Sequence, residues 1–171
     1  MNTNTTHSHV RAGIFESPEE VENLLPKLRA AGFGADQISV FTSNTEFQER
    51  FKPYLDENFQ LPEDQNRMQK AGEVGLGLGG AAALVTLATT AGTSIFAIGA
   101  FSGIAVLGTF VALMLSRGVK EEAADFYEQE IQAGQILVTV ESHGEDASQL
   151  LTRADEIFSQ HGAKTFDLEE D

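Results

Sequence analysis

The sequence predicts an α+β fold, and three observations predict it. A strand-helix-strand pattern stands near each end of the chain, the two patterns share one layout, and a long stretch without charge separates them. With 171 residues and 42% apolar content, the chain can bury one core of ordinary size or two small ones.

Residues 1–9 read as a flexible tail, because MNTNTTHSHV lacks the basic stretch and apolar run of a secretory signal. The first unit occupies residues 10–43. Val10, Ala12 and Ile14 alternate with Arg11 and Gly13, as in a half-buried strand. Ser17 can then cap free amides, Pro18 suits the first helical position, and Glu20 can reach back to complete a capping box. Val21, Leu24, Leu25 and Leu28 form one helical stripe, which Gly32 is placed to end. Ile38, Val40 and Phe41 make the next strand.

Residues 118–171 repeat the pattern after an acidic helix. Val119, Ala123, Phe126, Tyr127 and Ile131 mark the apolar side of that helix, and Gly134 closes it. Ile136, Val138 and Val140 then alternate with Leu137 and Thr139 in a strand. Ala147, Leu150, Leu151, Ala154, Ile157 and Phe158 form a helical stripe ended by Gly162, and residues 163–168 offer a last strand. Two βαβ halves of this kind can cover each other in a two-layer sandwich. The expected architecture is therefore a split ferredoxin-like domain, its halves parted by an insertion.

The insertion begins with a polar linker, residues 44–70, where Phe47, Phe51 and Leu55 stand at helical spacing and Pro53 and Pro62 interrupt. The charge distribution then sets apart the middle of the chain. Residues 1–70 hold seven basic and eleven acidic groups, residues 71–118 hold only Glu73 and Arg117, and residues 119–171 hold three basic and fourteen acidic groups. From Val74 to Ser116, 43 residues pass without an ionisable side chain. A membrane crossing takes roughly 20 apolar residues, so the segment 71–117 predicts a helical hairpin of two crossings. Its turn falls at Thr89 to Ser94, and Ser94 to Leu115 is the stronger span. Arg67 and Lys70 before the run, with Arg117 and Lys120 after it, place both ends on the cytoplasmic side of a bacterial inner membrane. Gly75 with Gly79, Gly99 with Gly103, and Ala88 with Gly92 are spaced for close helix pairing, which predicts self-association. The alternative is a soluble, cytoplasmic oligomer that binds a small ligand, with the same hairpin buried in the assembly.

The phrases VRAGIFESPEEVENLLPKLRAAGFGADQISVFTS and RGVKEEAADFYEQEIQAGQILVTVE, the Gly-rich segment between them and the closing QHGAKTFDL resemble the bacterial heat-induced or general stress proteins with a YflT-type domain. That resemblance spans Val10 to Leu168 and implies a stress-associated, non-enzymatic, often membrane-linked protein. It implies no functional residues.

Composition excludes several classes. A net charge of −15 leaves no phosphate-neutralising surface for nucleic acid. Without cysteine there is no disulfide, thiolate zinc site, iron-sulfur cluster or cysteine nucleophile. The glycines at 75, 77, 79 and 80 lack the Lys and the preceding strand of a phosphate loop. His7 and His9 are weak metal candidates in a tail without supporting groups. Glu121, Glu122, Asp125, Glu128 and Glu130 read as a solvated helix face, and His143 and His161 as turn residues. Neither a nucleophile motif nor a carboxylate pair stands out, so the expectation is a non-enzyme without cofactor, whose ligand the sequence does not name.

Overall fold

The computed structural model describes residues 10–55, 83–88, 94–99, 110–116, 118–144 and 146–166. Five strands form one sheet: β1 (Val10–Phe15), β2 (Ile38–Thr42), β3 (Ala83–Ala88), β4 (Ser94–Gly99) and β5 (Ile136–Glu141). Their spatial order is β1-β5-β2-β4-β3, with every neighbouring pair antiparallel. β5 thus enters between the two strands of the first βαβ unit. Val138 faces Gly13 on one side and Val40 on the other.

The helices are α1 (Pro18–Ala30), α2 (Thr45–Phe51), α3 (Phe110–Ser116), α4 (Glu121–Gln132) and α5 (Ala147–Gln160). Side chains alternate across a strand, and here both faces are apolar. On one face Phe15, Ile38, Val40, Ile136, Val138 and Val140 pack with Val21, Leu24, Leu25 and Leu28 of α1 and with Leu151, Ala154 and Phe158 of α5. On the other, Ile14, Phe41 and Leu137 pack with Phe110 and Met114 of α3 and with Ala123, Ala124, Tyr127 and Ile131 of α4. The described domain therefore has helices on both sides of its sheet, where the sequence reading expects two layers. The continuous apolar run of β5, ILVTV, is the physical reason, because a strand buried on both faces loses the polar half of its alternation.

The first unit forms as expected. The amide of Glu20 donates to Ser17 Oγ at 3.3 Å while the Ser17 amide donates to the Glu20 carboxylate at 3.2 Å, closing the capping box. At the other end Gly32 adopts φ +107°, and the amides of Gly32 and Phe33 donate to the carbonyls of Arg29 and Leu28. This pairing satisfies carbonyls that a helix end leaves open, and it sets Phe33 against Leu28 in the core. Helix α2 contributes Phe51 and its following turn, Lys52–Leu55, contributes Leu55, both buried as their spacing implies.

Two expectations need correction. Residues 83–88 and 94–99 are strands, not parts of a helical hairpin. Their sequences, ALVTLA and SIFAIG, favour this physically: Val, Thr, Ile and Phe suit a pleated surface, and each glycine in a helix interior costs about 1 kcal/mol. Of the expected turn, Thr89 to Ser94, residues 89–93 are outside the described ones and Ser94 begins β4. Among the described residues, no helix is long and apolar enough to cross a membrane. The last strand, expected over 163–168, is reduced to a bridge at Lys164, whose amide and carbonyl each bond Ile14 at 2.9 Å; residues 167 and 168 are outside the described ones.

Candidate functional site

The uncharged segment meets the domain at β4. Ser39, Val40, Phe41 and Thr42 of β2 pair with Gly99, Ile98, Ala97 and Phe96, and β4 pairs along its whole length with β3. No residue of β3 or β4 is ionisable, whereas β1 carries Arg11 and β5 carries Glu141. Five strands thus grade from a charged edge to a neutral one.

Of the residues expected to pack helix on helix, Ala88 and Gly99 are described, and both lie in strands. Ala88 stands opposite Ser94 at one end of the β3-β4 pair, and Gly99 stands opposite Ala83 at the other. The structure does not bring them together. Gly75, Gly79, Gly92 and Gly103 lie outside the described residues, as do His7 and His9. Gly99 belongs instead to a row that crosses the sheet through Ala12, Thr139, Ser39, Gly99 and Ala83. Ser39 and Thr139 in this row are buried on the α4 side. Single-strand periodicity gives no hint of such a row, because it depends on the register between strands.

The titratable groups form structural ties. Arg50 of α2 grips Glu22 with Nε at 2.9 Å and Nη2 at 2.8 Å, and Nη2 also reaches Glu19 at 3.1 Å, both on α1. These hydrogen bonds raise the Arg50 pKa, first through Glu22. Glu19 is lowered by its own backbone amide and then by Arg50. Lys164 Nζ lies 2.6 Å from Glu16, which lowers the Glu16 carboxyl below its ordinary 4.5 and raises Lys164 above 10.5, by hydrogen bond before charge in each case. Arg11 joins β1 to Asp155 of α5 at 3.0 Å. Each tie links two elements at the surface, and none places an acid beside a base around a space that could hold a substrate. Glu128, expected on a solvated face, is instead buried on α4, where Gln132 Nε2 donates to it at 3.0 Å. Among the described residues, no group of three or more His, Asp or Glu side chains is arranged to hold a metal ion.

No family model, curated protein or solved structure matches this chain.

Proposed function

We propose that the chain is a non-enzymatic scaffold or sensory protein of ferredoxin-like topology that self-associates through its uncharged segment. One observation carries this reading: the pairing of β4 with β2 makes part of that segment an extension of the domain's sheet. The strand order supports the topology. Each βαβ unit supplies one inner strand, β1 or β5, and one outer strand, β2 or the bridge at Lys164. The link to stress rests on the resemblance of the terminal phrases alone.

A second reading is favoured by a different observation, the 43 residues from Val74 to Ser116 that lack an ionisable group. In it the segment enters a bacterial inner membrane with both chain ends on the cytoplasmic side, and β3 and β4 leave β2 to do so. Cell lysis without detergent separates the readings. Recovery in the high-speed supernatant as an assembly larger than 18.5 kDa supports the first. Recovery only in carbonate-resistant membranes establishes the second, and a monomer in the supernatant contradicts both.

A further inference from the structure

The sheet has two edges, and they are finished differently. Beyond β1 the bridge to Lys164 takes up both backbone groups of Ile14. Beyond β3, no strand among the described residues pairs with the outer edge. An edge strand offers a row of amides and carbonyls that another strand can use, and proteins commonly blunt such edges with Lys, Pro or an inward charge. β3, ALVTLA, has none of these. From the backbone and the charge distribution together, we infer that β3 is the contact between two copies of this chain, joined edge to edge in antiparallel fashion to make one continuous ten-stranded sheet.

Three facts select a second copy as the occupant. A strand edge presents a regular row of backbone amides and carbonyls, which another strand matches most completely. Antiparallel pairing of β3 with itself is closed by a two-fold axis that sets residues of like parity opposite each other, as in Ala83 opposite the partner's Leu87, Leu84 opposite the partner's Thr86 and Val85 opposite the partner's Val85. Finally, copies that each carry −15 repel one another, and the repulsion is least where the chain has no charge. Residues 119–171 hold fourteen acidic groups against three basic, while β3 and β4 hold neither sign. At physiological salt, charges more than about 8 Å apart are largely screened, so a contact through the neutral edge avoids most of the cost that any acidic face would incur.

The inference rests on the self-association reading, and the test separates the two. In an antiparallel strand successive residues turn their amides to opposite edges. Of the variants Val85→Pro and Thr86→Pro, one therefore removes an amide on the outer edge and the other an amide bonded to β4. Sedimentation of the full chain should give a dimer. The outer-edge variant, recognised by slow hydrogen exchange retained in residues 94–99, should be a monomer at the same concentration. A dimer that survives this substitution overturns the edge contact and leaves self-association standing. A wild-type monomer at tens of micromolar overturns both. If neither variant keeps its sheet, wild-type exchange decides: amides of residues 83–88 should slow as concentration rises, and exchange independent of concentration overturns the contact.

Discussion

Gly32 sits at φ +107°, a region where a side chain is strained, so Gly32→Ala should destabilise the domain. The left-handed penalty is roughly 1–2 kcal/mol, measurable by denaturant unfolding, and an unchanged midpoint would contradict the role given to this turn. Gly13 is constrained by space instead. A Cβ there would stand 2.9 Å from the Cβ of Ala163, so any side chain must displace the segment that bridges β1. The pair Glu16 and Lys164 secures the same segment from outside. Because the Glu16 pKa is lowered by folding, its contribution is present at neutral pH and is lost as pH falls through the folded value. The Lys164 pKa is raised, so its contribution is present below the unfolded value and is lost as pH rises through the folded one. Both groups are exposed, and the effect is local. Lowering pH from neutral to below the carboxylate range should reduce the protection factors of the Ile14 and Lys164 amides, taken against the unfolded chain at the same pH, more than that of Val138, and Lys164→Met should abolish the difference.

Helix α1 shows how far local rules reach. Its capping box, its proline at the first turn and its closing glycine are all readable in SPEEVENLLPKLRAAG, and the structure follows them. Ser17→Ala should cost about 1 kcal/mol and Leu25→Ala, fully buried, roughly 2–5 kcal/mol, both by denaturant unfolding. Values near zero would mean that α1 is not packed on the sheet as described. Helix α4 is legible in part: Ala123, Tyr127 and Ile131 are buried as their spacing implies, but so are Ala124 and Glu128. The face that α4 covers belongs to strands distant in sequence, and no helix pattern announces how wide it is. β3 and β4 escape sequence reasoning for a related reason. Their apolar run satisfies the length rule for a buried helix, while the feature that favours a strand, an open edge on β2, is a property of the fold.

At the scale of the molecule, the charge-free segment joins the sheet of a domain whose C-terminal third is strongly acidic. The first βαβ unit, and β5 with α5 after it, are visible from their own periodicity. Their interleaving, with β5 between β1 and β2, depends on pairing across more than 90 residues and enters a sequence reading only as a way of burying two apolar faces. The candidate site is less legible, because glycine spacing within one helix cannot foresee that Gly99 will lie in a row with Ser39 and Thr139.

Hydrogen exchange of residues 94–99, in the full chain in buffer without lipid or detergent, tests the central claim most directly. If β4 extends the sheet, these amides exchange as slowly as those of β2, which they face. Exchange at the rate of an open chain, with β2 still protected, would contradict the account.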